Sequence, residues 1–207
     1  MSVWVIVPVK PLKSGKSRLI SVLSESQRAR ANELMLRHVL SEISKAKNIQ
    51  GIMVISSDPF ALSIAREYSC RTIRENRITS LNMALRKATR VIKSLSADAA
   101  LIIPADLPMI KSHDIESMVS QINHPPQIII CPDRHQQGTN AMLLSPVDVI
   151  QFDFGLDSFY KHVEQAERKK VKISVFLSDS ISLDLDNPAD LEFLSNIDEN
   201  IYTQIID

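Results

Sequence analysis

The stretch VWVIVPVKPLKSGKSRL, residues 3–19, sets the interpretation of the whole chain. Its first part, residues 3–7, is an unbroken apolar run, which is typical of strands buried on both faces of a parallel sheet. Its second part is a loop with four cations and no acidic residue before Glu25: Lys10, Lys13, Lys16 and Arg18. Such a loop predicts a polyphosphate or carboxylate ligand, although a solvated basic loop is the alternative.

The tetrapeptide SGKS, residues 14–17, matches the end of the phosphate-binding P-loop of ATPases. The complete pattern, G-x-x-x-x-G-K-[ST], needs a first glycine so that backbone N–H groups can turn toward the phosphates. Lys10 stands at that position, and Pro11 after it has no N–H to donate. The stretch therefore lacks the P-loop pattern, and we expect its side-chain cations to provide the anion contacts.

Composition predicts one α/β domain over residues 1–207. The chain is 44% hydrophobic, which is enough for a sizeable core. Its formal net charge of zero argues against binding to nucleic acid or to an anionic membrane. The opening apolar run is interrupted by Pro8 and Lys10 and is too short for a signal peptide or a membrane span, so we expect a cytoplasmic protein. The two cysteines, Cys70 and Cys131, are expected to be buried, reduced thiols.

Strand and helix patterns alternate along the chain. The predicted strands are residues 3–7, 51–56, 99–103, 128–131, 141–144, 172–176 and 180–185. The predicted helices are residues 25–46, 59–68, 80–95, 112–123, 158–170 and 188–196. This order predicts a doubly wound α/β fold, in which ligands bind beyond the carboxyl ends of the strands.

Three aspartates are candidate metal ligands. Asp106 directly follows a predicted buried strand within LIIPADLPMI, residues 101–110, where a capping role is the alternative. In LDLDNPADL, residues 183–191, strand alternation places Asp184 and Asp186 on one face. Two like charges on one face repel each other unless a cation lies between them, and carboxylate oxygens suit Mg²⁺.

Two further loops carry residues that can bind an anion. CPDRHQQGTNAMLLSP, residues 131–146, contains Thr139, although a polar hairpin explains it equally well. FGLDSFYKH, residues 154–162, puts Gly155 and Ser158 at a helix start, where N–H groups and a hydroxyl can hold a phosphate. A plain helix cap at Ser158 is the alternative. His162, on the same helix, is predicted to be a packing or surface residue.

The sequence carries no motif of a hydrolytic triad or a zinc site: G-x-S-x-G, C-x-x-C and H-E-x-x-H are all absent. The available chemistry is a set of cations, carboxylates and a metal ion. That set is typical of phosphoryl or nucleotidyl transfer, which depends on positioning and charge neutralisation and needs no protein nucleophile.

Seven motifs follow one another along the chain: VPVKPLKSGKSRL, SSD, SLNMAL, PADLP, PDRHQQGTNAMLL, FGLDSF..H and LDLDNPADL. They occur in the same order in the CofC/FbiD family of guanylyltransferases, which this chain resembles over nearly its entire length. The resemblance implies a single Rossmann-like nucleotidyltransferase domain with a mostly parallel central sheet and helices on both faces. It also implies transfer of GMP from GTP to a three-carbon phospho-acid, with release of pyrophosphate, in coenzyme F-420 biosynthesis. The acid would be 2-phospho-L-lactate, phosphoenolpyruvate or 3-phospho-D-glycerate.

The resemblance further implies roles for individual residues. The catalytic cations would be Lys10, Lys16 and Arg18. The nucleotide would be bound by Pro8, Lys10, Ser14, Lys16, Arg18, Glu75, Asn82 and Pro104, with Glu75 and Asn82 near the guanine or ribose. The phospho-acid would be bound by Thr139, Gly155 and Ser158, and Mg²⁺ by Asp106, Asp184 and Asp186.

Three departures from the family pattern leave the acid's identity open. Ser80 stands where the family usually has glycine, and Leu156 and Asp157 replace a common proline and glycine beside the expected acid site. The implied partners are GTP and the phospho-acid, and hand-over of the product to a downstream phospholactyl transferase is a further hypothesis. From the charge balance, we expect no nucleic acid and no membrane as partners. The alternating tail, residues 196–207, raises the hypothesis of a homodimer.

Two other functions compete with this reading. One is a nucleotidyltransferase for a sugar phosphate or molybdenum cofactor, although the chain lacks the glycine-rich start L-x-G-G-x-S/G-x-R-x-G. The other is a nucleotide-binding module without catalytic activity.

Overall fold

The computed structural model describes residues 1–76 and 80–206, and within them the chain forms one mixed sheet. The strands are β1 (Val3–Val9), β2 (Gly51–Ser56), β3 (Arg71–Arg74), β4 (Ala99–Ile102), β5 (Gln127–Pro132), β6 (Thr139–Ser145) and β7 (Lys172–Val175). Their spatial order is β3-β2-β1-β4-β6-β5-β7. Strand β6 runs antiparallel to its neighbours β4 and β5, and the other neighbouring strands are parallel.

Helices cover both faces of this sheet. They are α1 (Glu25–Lys45), α2 (Pro59–Glu67), α3 (Leu81–Ser94), α4 (Ser112–Ser120), α5 (Ser158–Arg168), α6 (Asp179–Ser182), α7 (Pro188–Ile197) and α8 (Glu199–Ile206), with a short 3₁₀ turn at Ser17–Leu19. The architecture confirms the predicted α/β class with a mostly parallel sheet. No helix in the described parts of the chain combines the length and apolar character that crossing a membrane requires.

Serine side chains fix the starts of the two longest helices. The hydroxyl of Ser24 accepts the N–H of Gln27, whose side chain accepts the N–H of Ser24 in return, so α1 begins with a complete capping box. The hydroxyl of Ser80 accepts the N–H of Met83 at the start of α3. Ser80, one of the departures from the family pattern, therefore serves as a helix cap.

The alternation of β1 divides the core into two layers. Val3, Val5 and Val7 pack on one face with apolar residues of α1, α2 and α4. Trp4 and Ile6 face the other side, where they pack with residues of α3 and α5. Because both faces of β1 are buried, this strand is apolar at every position up to Val7. Cys70 and Cys131 are buried and unpaired, as expected.

A third apolar cluster brings the C-terminal segment onto the N-terminal one. Leu183 and Leu185 are buried together with residues of α1, α7, α8 and the basic loop. The N–H of Leu185 also donates to the backbone carbonyl of Asp106 at 3.1 Å. These contacts set the segment that carries Asp184 and Asp186 beside Asp106.

The structure corrects the prediction of a strand at residues 180–185. Residues Asp179–Ser182 form α6 instead, because the hydroxyl of Ser178 caps this turn and accepts the N–H of Ile181. The chain then continues in an extended segment that carries Asp184 and Asp186. Leu183 and Leu185 point into the core there, so the alternation argument for the two aspartates holds although the segment pairs with no strand among the described residues.

Two elements were absent from the sequence prediction. Strand β3 is a short edge strand with Arg71 and Arg74 exposed at its ends, so its apolar signal is weak. Helix α8 forms from the alternating tail that raised the hypothesis of a homodimer, and it packs against α1 and α7 of the same chain. The last position of that tail, Asp207, lies outside the described residues.

We expect Leu185→Ala to lower the free energy of unfolding by about 2–5 kcal/mol, because Leu185 is fully buried and its truncation leaves a cavity. Urea unfolding measures this change. Leu177→Ala is the matched control, since Leu177 is 73% exposed and its loss should change stability by less than about 0.5 kcal/mol. Equal effects of the two substitutions would contradict the packing described above.

Candidate active site

The candidate site lies at the carboxyl ends of β1 and β4, where the strand order reverses direction. From β1 the chain proceeds outward to β2 and β3, and it then returns to place β4 on the other side of β1. Open α/β sheets bind their ligands at such a switch point. The basic loop follows β1, and Asp106 follows β4, so both predicted groups meet here.

A cavity of about 290 Å³ opens between these two loops. Six of the eight residues expected to bind the nucleotide line it: Pro8, Lys10, Ser14, Lys16, Glu75 and Pro104. Ile55, Leu81 and Ala84 add an apolar wall. The cavity therefore combines a charged end with an apolar end, as a site for a charged and partly aromatic ligand requires.

Lys16 is the central cation of the site. Its Nζ lies 2.7 Å from Oδ2 of Asp106 and 3.0 Å from Oδ1 of Asp186, and its side chain is only 4% exposed. Burial lowers the pKa of Lys16, but Asp106 and Asp186 raise it more, so the pKa lies above the usual value for a lysine. The ammonium group is thus charged and bridges two carboxylates.

The backbone around Lys16 explains why glycine precedes it. A side chain at Gly15 would meet the amide of Asn32 at 2.7 Å. That amide donates to the carbonyl of Leu12 at 2.7 Å and so ties the basic loop to α1. Lys16 itself adopts a left-handed conformation with φ of 60°. Gly15 of the SGKS tetrapeptide is therefore explained by the close packing of this loop against Asn32.

The three aspartates differ in their electrostatic environment. Burial raises the pKa of Asp184 to about 6, and the nearby charges of Asp106 and Asp186 add to this effect. Burial also acts on Asp186, but there Lys16 and Arg18 outweigh it and hold the pKa below its usual value. Burial is therefore the main reason why Asp184 favours its neutral form, and the charges of Asp106 and Asp186 reinforce it.

A single buried carboxylate fixes the loop that carries Asp186. The side chain of Asp190 accepts the N–H groups of Asp186 and Asn187, each at 2.9 Å. Its other oxygen accepts from Arg134 Nη2 at 2.6 Å. Asp186 is thus held in place through its backbone while its side chain faces Lys16.

The candidate metal ligands do not form a ready-made cage. Among residues 1–76 and 80–206, no group of three or more His, Cys, Asp or Glu side chains is arranged so that it could hold a metal ion. Arg18, the outermost cation, lies 3.7 Å from Asp186 and its side chain is 75% exposed. The arrangement present is a pair of carboxylates around one ammonium group, with Asp184 nearby.

A second polar cluster contains the residues expected to bind the phospho-acid. The hydroxyl of Ser158 donates to Oγ1 of Thr139 at 3.2 Å, and Nδ1 of His162 lies 3.1 Å from the same atom. All three side chains are buried. Gly155 begins the turn into α5 with φ of +129°, a conformation that other residues rarely adopt. Leu156 and Asp157, which follow it, are exposed.

The antiparallel strand β6 brings this cluster to the edge that carries Asp106. Ile102 of β4 pairs with Met142 of β6, so the start of β6 lies beside the end of β4. Asn140, next to Thr139, donates from Nδ2 to Oδ1 of Asp184 at 3.2 Å. Asn140 therefore links the two clusters, a role that the sequence analysis missed, although the GTNA motif contained it.

Asn82 makes a contact that the sequence analysis did not predict. It does not line the cavity, and its side-chain amide forms two hydrogen bonds with the backbone of Phe154, at 2.8 Å and 3.1 Å. Asn82 thus attaches α3 to the loop that carries Gly155. The amide oxygen and one amide N–H of Asn82 are thus bound to this loop, and the expectation that Asn82 lies near the guanine or ribose stays a prediction.

Comparison with known proteins identifies the family. A sequence model described as "Guanylyl transferase CofC like" matches residues 3–203. The chain belongs to this family. It is 37% identical over 191 residues to phosphoenolpyruvate guanylyltransferase from Rubrobacter xylanophilus, a match that covers 92% of both chains. It is 36% identical over 188 residues to 2-phospho-L-lactate guanylyltransferase from Methanocaldococcus vulcanius, covering 90% of this chain and 81% of the relative.

Solved structures agree on the fold of the family. A protein assigned as a nucleotide-diphospho-sugar transferase from Desulfovibrio desulfuricans superposes with a TM-score of 0.79 at 14% identity, covering 99% of this chain and 94% of that one. A CMP:2-keto-3-deoxy-manno-octonic acid synthetase, solved with CTP, gives a TM-score of 0.63 at 14% identity, with 95% and 98% covered. The resemblance drawn from the motifs is thus confirmed, and the protein is a nucleotidyltransferase of the guanylyltransferase type.

We expect Asp184→Asn and Asp186→Asn to change stability in opposite directions in the metal-free protein. Because the pKa of Asp184 is about 6 when folded and about 4 when unfolded, its charge destabilises the fold above about pH 6, and this loss disappears as the pH falls toward 4. Asp184→Asn should therefore raise the free energy of unfolding by about 1–3 kcal/mol near pH 7.5 and change it little at about pH 4.

Asp186→Asn should have the reverse effect. The lowered pKa of Asp186 means that its charge stabilises the fold above the unfolded pKa, and this gain is lost as the pH falls through the folded value. Urea unfolding in the presence of a chelator, repeated across this pH range, measures both changes. Destabilisation by both substitutions near pH 7.5 would contradict the charge distribution described here.

Proposed function

We propose that this protein transfers GMP from GTP to the phosphate of a three-carbon phospho-acid, with release of pyrophosphate, as a step of coenzyme F-420 biosynthesis. Phosphoenolpyruvate is the first candidate acid and 2-phospho-L-lactate the second, since these are the substrates named for the relatives of similar identity. The observation that carries the proposal is the buried ammonium group of Lys16 between Asp106 and Asp186, where all three line the cavity between the basic loop and the loop after β4.

The cavity has the two ends that GTP needs. The guanosine would occupy the apolar side near Ile55, Leu81 and Ala84. The triphosphate would then lie along the basic loop, in reach of Lys10, Ser14 and Lys16. Arg18 is exposed at the outer edge and is free to turn toward the phosphates from its 3.7 Å contact with Asp186. Side-chain donors of one loop would thus bind most of the negative charge.

The carboxylates fit a divalent cation. Asp106 and Asp186 already share one positive charge, the ammonium group of Lys16, and the pKa of Asp184 is raised by burial and, to a smaller extent, by the charges of Asp106 and Asp186. Mg²⁺ takes one or two carboxylates together with phosphate oxygens and water, so a complete protein cage is unnecessary. We propose that Asp106, Asp184 and Asp186 hold this ion, which would neutralise charge on the phosphates when bound.

The phospho-acid would bind at the second cluster. Thr139 and Ser158 offer hydroxyls, and Gly155 offers an open backbone with no atom within 4 Å of the place of a side chain. The cluster adjoins Asp184 through Asn140, so an acid held there would be close to the nucleotide site.

The proposed reaction needs no protein nucleophile and no general base. An oxygen of the acid's phosphate, anionic at neutral pH, forms a bond to the α-phosphorus of GTP. The bond from that phosphorus to the oxygen bridging the β-phosphate breaks, and pyrophosphate leaves with the electron pair. Lys10, Lys16 and Arg18 would act by neutralising the charge that builds on the leaving group.

The proposed product is a reactive diphosphate, so a following enzyme would have to consume it. We propose that it passes to a downstream phospholactyl transferase, and that both steps take place in the cytoplasm with diffusible substrates. A homodimer stays a hypothesis. Equilibrium sedimentation of the purified chain would decide between a monomer and a dimer.

Purified protein with GTP and Mg²⁺ tests the function when each phospho-acid is added in turn and pyrophosphate release is recorded. We expect release with phosphoenolpyruvate or 2-phospho-L-lactate, none with CTP in place of GTP, and none after chelation of the metal. 3-Phospho-D-glycerate is the third acid to be offered. Absence of release with all three acids would refute the proposal.

We expect Asp106→Asn to lower kcat by about 100-fold or more, since it removes a carboxylate from the proposed metal site. Circular dichroism and urea unfolding check that the variant is folded. Asp179→Asn is the matched control, because Asp179 is an exposed aspartate of α6 outside the site and its substitution should leave kcat unchanged. Similar activity of the two variants would exclude Asp106 from the reaction.

A further inference from the structure

His162 is fully buried on α5, and both of its ring nitrogens are engaged. The backbone N–H of Asp153 lies 3.1 Å from Nε2. A backbone N–H is always a donor, so Nε2 must accept and therefore carries no proton. A neutral imidazole keeps its one proton on the other nitrogen. The proton of His162 is thus on Nδ1, which faces Oγ1 of Thr139 at 3.1 Å.

This proton position determines what the Thr139 hydroxyl can do. Oγ1 of Thr139 accepts one hydrogen bond from Nδ1 of His162 and a second from the hydroxyl of Ser158. A hydroxyl has two lone pairs and one hydrogen. Both lone pairs are filled here, so the hydrogen of Thr139 is left as a donor that must point away from its two partners.

The imidazole also joins Thr139 to the loop that carries Gly155. Through Nε2 it holds the backbone of Asp153, and its ring packs edge-on against Phe154 with 5.0 Å between ring centroids. Phe154 is itself bound on both backbone groups by Asn82. His162 therefore contacts the two sides of the proposed acid site, the start of β6 and the turn before α5.

The surroundings keep the imidazole of His162 neutral, so the ring does not gain a second proton. Burial lowers the pKa of His162 to about 4, Asp153 raises it by a smaller amount, and Lys161 lowers it further. The imidazole is consequently neutral across the physiological pH range.

We propose that His162 is a positioning residue of the acid site: its Nδ1–H occupies one lone pair of Thr139 and so directs the Thr139 hydroxyl hydrogen to an anionic oxygen of the phospho-acid. This inference rests on the proposed function, because it takes Thr139 as a ligand of the acid. A leucine could fill the same space, but it would leave the N–H of Asp153 and the oxygen of Thr139 without their partner.

The proton position is tested directly in the wild-type protein. A long-range ¹H–¹⁵N spectrum of the labelled chain at about pH 7 distinguishes the two tautomers and the charged ring. The signal of His162 is assigned as the one lost in His162→Asn and kept in His124→Asn, which changes an exposed histidine before β5, at the end of that strand away from Thr139. We expect protonated Nδ1 and unprotonated Nε2. A proton on Nε2, or on both nitrogens, would overturn the proposal.

The positioning role is tested by separating acid binding from nucleotide binding. We expect His162→Leu to raise KM for the phospho-acid about tenfold, with KM for GTP changed by less than about twofold. His162→Asn, whose amide nitrogen can take the place of Nδ1, should recover most of the acid affinity. In a Thr139→Val background, His162→Leu should have no further effect on KM for the acid, because the hydroxyl it orients is gone.

A structural role alone would give a different pattern. His162→Leu would then reduce kcat and both affinities together, and its effect would add to that of Thr139→Val. If the leucine variant does not fold, the asparagine variant and the tautomer of the wild-type protein still decide the question. The role of Nδ1 would also be contradicted if the wild-type ring carries its proton on Nδ1 but His162→Asn raises KM for the acid as much as His162→Leu does.

A binding measurement distinguishes failure of this inference from failure of the proposed function. Titration calorimetry of the chain with phosphoenolpyruvate and with 2-phospho-L-lactate, without GTP, reports acid binding alone. If pyrophosphate release fails but an acid binds more weakly to His162→Leu than to wild type, the proposed reaction is wrong and the role of His162 stands. If no acid binds to the wild type, both fail.

Discussion

The ion pair of Lys16 with Asp106 and Asp186 is the interaction on which the site depends. It joins the loop after β1, which carries Lys16, to the loop after β4 and to the segment before α7. Asp106 and Asp186 lie 90 and 170 residues from Lys16 in sequence. A buried charge is tolerated only when partners compensate it, and here the two carboxylates compensate the buried ammonium group of Lys16. The apolar contacts of Leu183 and Leu185 hold the extended segment that carries Asp186 in place, so packing and electrostatics support the same arrangement.

Much of this architecture is readable from the sequence, because the core is simple. Strand β1 is apolar on both faces and marks the centre of a parallel sheet, and the helices around it carry clear caps and apolar faces. The basic loop and Asp106 were expected at the carboxyl ends of strands, and the topology brings them together there. These predictions succeed because local pattern and tertiary environment agree.

The features that the sequence did not reveal depend on tertiary contacts. The segment 180–185 has strand-like alternation, yet Ser178 caps a helical turn at Asp179–Ser182 and no strand pairs with it in the described parts of the chain. Asn82 was expected near the nucleotide, and only the position of Phe154 explains its contacts with the loop before α5. His162 closes the FGLDSF..H motif, but the motif does not show what the imidazole contacts. Its importance follows from two partners, one 23 positions and one 9 positions away, that no periodicity could bring into view.

The long sequence separation within the Lys16 ion pair has a consequence for protein synthesis. The first carboxylate, Asp106, becomes available to Lys16 about halfway along the chain, whereas Asp186 is added near the end. Domains generally fold as units, and the strands β1 to β4 have all been synthesised while the second carboxylate is still missing. A nascent chain at that stage has the basic loop but only part of its counter-charge. The complete ion pair can therefore form only after nearly the whole chain has been synthesised.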